Sequence, residues 1–139
     1  VALLGAQPSL LAEAGAQRPR GVVSLAIGAL DVAALMSQRR VPQFYRNAFG
    51  NDPAYWAATS PLAQLRRDAL PMQLVCSRTR RFPTSPCDEA RTFASKAATL
   101  GVAMQVLPEP LDHGQINHDL GAPSAYTDAV AAYVDALLR

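Results

Sequence analysis

PMQLVCSRTRRFPTSPCDEARTFASKAATLGVAMQVL, residues 71–107, decides the fold class. Its first seven residues, 71–77, form an apolar run with the density of a strand covered on both faces, and a second such run, residues 102–107, starts after Gly101 and stops at Pro108. Between the two, Ser85 is placed to cap a helix, and Pro86 takes the first helical position, where its missing N–H costs nothing. Asp88 and Glu89 complement the positive end of the helix dipole. Ala90, Phe93, Ala94, Ala97 and Leu100 then recur at helical spacing, and Gly101 ends the stripe. A strand, a helix and a second strand in this order predict an α/β fold, a mostly parallel sheet with flanking helices.

Working outward, GVVSLAI (residues 21–27), bounded by Pro19-Arg20 and Gly28, reads as a third buried strand. Asp31 is placed as the N-cap of a short helix over residues 32–36. At the other end, Ala125, Val130, Tyr133, Val134 and Leu137 form the apolar side of a helix over residues 124–138 that would cover one sheet face. Residues 41–65 are more irregular and carry Phe44, Tyr45, Phe49, Tyr55 and Trp56, with Ser60-Pro61 as a further helix start. An excursion of this kind is expected to lie beyond the C-terminal ends of the strands, as a pocket wall or lid. Residues 1–14 read as the tail of one helix and a short second one, interrupted by Gly5 and Pro8. A helix opening on VALL leaves its first N–H groups uncapped, so the expectation is that residues 1–139 are the C-terminal portion of a larger domain.

Composition narrows the function classes. With 50% hydrophobic and 17% charged residues and a mean hydropathy of +0.04, the 139-residue chain is too apolar for disorder and too interrupted for a membrane span. Its net charge of +2 comes from 13 basic and 11 acidic residues, and no aromatics interleave with the arginine clusters, which argues against nucleic acid as a partner. Cys76 and Cys87 match no metal spacing; a bridge and a pair of thiols are equally compatible with the sequence. No leader or spanning run is visible, and a cytoplasmic chain without membrane contact, metal or cofactor is expected.

The chemistry concentrates in LPEPLDHGQINHDLG, residues 107–121. His113 follows the third apolar run by a few residues and precedes the last helix, which predicts an imidazole on a loop at the C-terminal edge of the sheet, within reach of a nucleophile on a neighbouring strand. Gly114 would let that loop turn behind the ring. Taken together, the order of elements, the stretch DHGQIN (residues 112–117) and Trp56-x-x-x-Ser60-Pro61-Leu62 upstream make the chain similar to α/β-hydrolase esterases of the bacterial feruloyl-esterase and kynurenine-formamidase type. The resemblance covers almost the entire chain. It implies that His113 is the base of a catalytic triad acting on a small ester or amide, and that Ser60 belongs to a structural landmark with no catalytic part.

Two departures from that family stand out. A G-x-S-x-G elbow and an H-G-G oxyanion loop are both missing from the sequence, so the nucleophile is expected in an absent N-terminal half, and the isolated chain is expected to be inactive. The family's acid would follow residues 73–76, yet the loop there reads Ser77-Arg78-Thr79-Arg80-Arg81-Phe82-Pro83. Asp88 is the nearest downstream acid and Asp31 an alternative at the edge of the first strand, although helix-dipole and N-cap roles also account for the two. A metal site from Asp112, His113, His118 and Asp119 has no common zinc spacing. The arginines at 78, 80 and 81 could bind a substrate carboxylate or simply be solvated. The competing functions are a non-catalytic binding or scaffold relative that has lost its acid and a small stand-alone flavodoxin-like domain.

Overall fold

The computed structural model describes residues 1–139. Helices α1 (Ala2–Ala6) and α2 (Ser9–Glu13) precede strand β1 (Val22–Ser24). Four short helices follow: α3 (Val32–Met36), α4 (Gln43–Phe49), α5 (Pro53–Thr59) and α6 (Pro61–Gln64). The chain then runs through β2 (Met72–Ser77), α7 (Pro86–Thr99), β3 (Met104–Glu109), α8 (His113–His118) and α9 (Ala125–Leu138). The three strands form one parallel sheet in the order β1-β2-β3, with Leu74 opposite both Ser24 and Val106. The fold is α/β, as the strand-helix-strand reading predicts. No helix is long and apolar enough to cross a membrane.

The central strand organises the molecule through its period of two. Met72, Leu74 and Cys76 point into the larger core with Ala90, Phe93 and Ala97 of α7, while Val75 points into a smaller core with Ile116 of α8 and Tyr126 and Val130 of α9. Every residue of β2 is buried, as a strand sandwiched between helical layers requires. Pro108 has no N–H to donate and sits on β3, at one margin of the sheet, where that lack is tolerated. Gly101, at φ +77°, ends α7 in the left-handed conformation that the sequence anticipates.

Three local expectations change. The first strand is shorter than residues 21–27, because Ala26 adopts φ +50° and turns the backbone out of the extended region; Ile27 N still donates to Val75 O at 3.1 Å. Ser60 does not cap α6 with its side chain. It is 1% exposed, and its Oγ accepts from Val32 N at 3.3 Å and donates to Leu30 O at 3.1 Å, pinning the segment after β1. The cysteine alternative resolves to a bridge: Cys76 and Cys87 are disulfide-bonded with a Cα–Cα separation of 5.2 Å. Asp31 caps α3 as read, accepting from Ala34 N at 3.0 Å.

Candidate active site

His113 occupies the first position of α8, on a helix and not on the flexible loop expected for it. Asp112 caps this helix, its carboxylate accepting from Gln115 N at 2.8 Å, while Asp112 N donates to the Gln115 side chain at 2.9 Å. This reciprocal pair satisfies two otherwise orphaned N–H groups and fixes the start of the helix. Gly114 lies within the first turn and has no left-handed φ, so it is not a turn residue. Two further ties seat α8: Ile116 is fully buried in the smaller core, and its carbonyl accepts from the Tyr126 hydroxyl at 2.9 Å. Burial, followed by the Glu109 and Asp119 carboxylates, raises the Tyr126 pKa above its ordinary value.

The imidazole itself is exposed. It lines a cleft of about 600 Å³ with Ser77, Thr79, Arg80, Asp112 and Gly114. Alternation along β2 explains this company: Ser77 leaves the strand on the face that carries α8, whereas Cys76 leaves on the other and is locked to α7. The two hydroxyls in the cleft are 2.9 Å apart and bonded to each other, and Ser77 Oγ also accepts from Thr79 N, so neither is paired with the imidazole.

Arg80 is half-buried, reaches across to the segment after β1 and donates through Nη2 to Ile27 O at 3.3 Å. It fits because position 28 has no side chain; a Cβ there would stand 2.6 Å from Nη2. Ala26 and Ala29 flank this approach with φ of +50° and +55°, a conformation that costs a non-glycine residue about 1 kcal/mol or more each. The chain after β1 is therefore held in an unusual shape beside the guanidinium. Reading the sequence for triad members does not single out Ser77 or Thr79. The Asp-x-x-Gln spacing of residues 112–115 is the signal that could have put His113 on a helix.

Neither candidate acid shares the cleft of His113. Asp88 and Asp31 instead line a separate cavity of about 410 Å³ with Leu30, Ser85 and Glu89. Asp88 is exposed and paired with Arg91 at 2.8 Å, and the neighbouring Ser85 side chain, helped by Arg91, holds its carboxyl below the ordinary range. The carboxylate of Asp31 is occupied by its helix cap. His118 pairs with Asp119 at 2.9 Å at the far end of α8, away from Asp112 and His113, and no three His, Cys, Asp or Glu side chains converge on a metal position.

No family model and no curated protein matches the chain. Among solved structures it is similar to esterase 2 of Thermogutta terrifontis phosphonylated by sarin, at 22% identity and a TM-score of 0.57, covering 79% of this chain and 40% of the esterase. The same esterase phosphoramylated by tabun gives 22% identity and a TM-score of 0.51, with 68% and 34% covered. The chain thus spans less than half of the esterase it matches, and the likeness is one of fold.

Proposed function

We propose that this chain is the C-terminal portion of a serine hydrolase domain that cleaves a carboxylic ester or amide, with His113 as general base. The observation that carries the reading is the seat of His113 on a capped and anchored helix, beside a polar cleft at the C-terminal end of β2, where open parallel sheets bind ligands. Its fold likeness to an esterase supports the same class. In the reaction a serine hydroxyl gives its proton to the imidazole as its oxygen attacks the carbonyl. The imidazolium then passes that proton to the departing alcohol or amine, leaving an acyl-enzyme. Water resolves the acyl-enzyme by the same proton route, which releases the acid and restores the serine.

The serine is supplied by a segment outside these residues, because the sequence contains no G-x-S-x-G elbow. The free side of β1 gives that segment a place to pair, since β1 has a neighbour only in β2 and a largely apolar cleft of about 510 Å³ runs along it. Such an uncovered strand edge is a ready template for another strand.

One feature favours a second reading, a non-catalytic relative: the loop expected to hold the acid presents Arg80 to the cleft, and Asp88 and Asp31 lie elsewhere. A fluorophosphonate probe applied to the full-length protein separates the two. Labelling that is abolished by His113→Ala supports the hydrolase. A full-length protein that folds and stays unlabelled is the non-catalytic relative.

A further inference from the structure

Arg80 is the cationic side chain of the cleft that holds His113, and no carboxylate lies within ion-pair reach of it; the ion pairs of the chain are Arg91 with Asp88 and His118 with Asp119. Of its nitrogens only Nη2 has a partner, the Ile27 carbonyl, and Nε is buried with none. A half-buried guanidinium whose Nε is out of water and without an acceptor, and whose remaining face opens on the cleft, gains from an anion there, and its planar fork matches a carboxylate. The acidic side chain in the same cleft, Asp112, caps α8 through Oδ1, accepting from Gln115 N at 2.8 Å, and forms no ion pair with Arg80.

The loop that carries Arg80 is also tied down. The Cys76–Cys87 bridge closes it at its base, and Arg78 N donates to Glu109 O at 2.8 Å on the neighbouring strand. Arg78 and Arg81 turn the other way, lining a separate groove with Asp88 and Arg91. One arginine of the cluster has thus been selected by the backbone and brought to His113.

We infer that Arg80 binds a free carboxylate on the substrate, so that the substrate class is esters or amides that carry a second, anionic carboxyl group. This rests on the hydrolase reading and narrows it. Arg80 acts as a specificity-determining residue, fixing the anionic end of the substrate while the bond to be cleaved lies at His113.

The test compares mono(4-nitrophenyl) adipate with 4-nitrophenyl hexanoate, a neutral ester of the same chain length, on the full-length protein. The ratio of their kcat/KM values is expected to favour the adipate and to fall by about ten- to a hundredfold in Arg80→Gln, the loss typical of a charge-assisted pair in a cleft. Arg80→Lys should recover part of the ratio, and Arg81→Gln should leave it unchanged. A ratio unmoved by Arg80→Gln, or moved equally by Arg81→Gln, overturns the assignment. Should the full-length protein cleave neither ester, the hydrolase reading fails, and titration with monomethyl adipate decides the arginine separately. A saturable shift of the Arg80 Nε–H resonance supports the anion site, and no shift overturns it.

Discussion

Cys76 and Cys87 join the last turn of the central strand to the first turn of α7, both side chains buried in the larger core. With a sequence separation of 11 the bridge closes a short loop, for which the loss of unfolded-chain entropy is worth about 3 kcal/mol. The double variant Cys76→Ala, Cys87→Ala is expected to lose about that much in a urea unfolding experiment, and reductant should have no further effect on it. Alkylation of the protein under denaturing conditions, straight from cells, checks the bridge itself. Unmodified cysteines mark an oxidising compartment and overturn the cytoplasmic expectation, whereas a reducing cytoplasm would leave both thiols to react.

Tyr126 is expected to act on the site at a distance. Its hydroxyl satisfies the Ile116 carbonyl inside the smaller core, and α8 is too short to hold His113 by its own hydrogen bonds. Tyr126→Phe should cost about 1–2 kcal/mol, the penalty for a buried carbonyl left without its donor. Amide hydrogen exchange should speed up over α8 while β2 stays protected. Equal protection of α8 in both proteins would show that Ile116 packing alone seats the helix.

Ser60 offers a contrast between a structural serine and a nucleophile. Fully buried and bonded to Leu30 O and Val32 N, it has no access to a substrate. Ser60→Ala leaves Val32 N without its acceptor, while Leu30 O keeps the bond from Leu62 N at 2.9 Å, and should destabilise by about 1–3 kcal/mol. Fluorophosphonate labelling of the folded full-length variant should persist. Its loss, with the fold intact, would contradict the assignment of Ser60 as a clip.

The part of the fold that could be read from the sequence is the part where local signals and tertiary context agree. Residues 71–107 carry a cap position, a proline, first-turn acids, an apolar stripe and a terminating glycine that all point one way, and β2 and α7 follow them closely, whereas β3 starts two residues late, at Met104, and runs through Pro108 to Glu109, because a sheet-margin strand tolerates the missing N–H. The end of β1 could not be read, since nothing about Ala26 announces a left-handed backbone, and the Arg80 side chain packed against Gly28 next to it is far away in sequence. Position in the chain order singles out His113 as a candidate, but it does not reveal which residues share its cleft. Which residues share its cleft depends on the two faces of β2, on the bridge at Cys76 and on the route of the loop between them. Spacing along the sequence carries none of this, which is why Asp88 and Asp31, each placed after a strand of the shared sheet, line another cavity in the fold.

Tyr133 should govern stability in alkali. Its hydroxyl is buried without a partner, and burial pushes its pKa from 10.0 up to about 12. The unfolded chain then releases this proton near pH 10 and the folded chain only near pH 12, so between those values the unfolded state binds fewer protons and stability falls as pH rises. Tyr126 shifts in the same direction and adds to the slope. Urea midpoints measured from neutral pH upward should be level below pH 10 and decline above it. Tyr133→Phe should be as stable as the parent at neutral pH, within about 1 kcal/mol, because it deletes an unpaired buried hydroxyl, and its decline should be shallower. An equally steep decline in the variant would place the titrating group elsewhere.

Gly28 gives a way to move Arg80 without touching it. A methyl group at this position would stand 2.6 Å from Arg80 Nη2, and the atom it meets is the far end of a flexible side chain, so the backbone can stay while the guanidinium is displaced from the Ile27 carbonyl. No positive φ constrains position 28, so alanine is sterically allowed there although its neighbours Ala26 and Ala29 are left-handed. Gly28→Ala is therefore expected to retain the fold, with a change of about 1 kcal/mol or less for moving the end of one half-buried side chain. It should also lower the preference for the anionic ester in the same direction as Arg80→Gln. Combining the two substitutions should add little beyond Arg80→Gln alone, since both act on one contact. Additive losses in that double variant would mean that Gly28 affects the site through the backbone after β1 and not through the guanidinium.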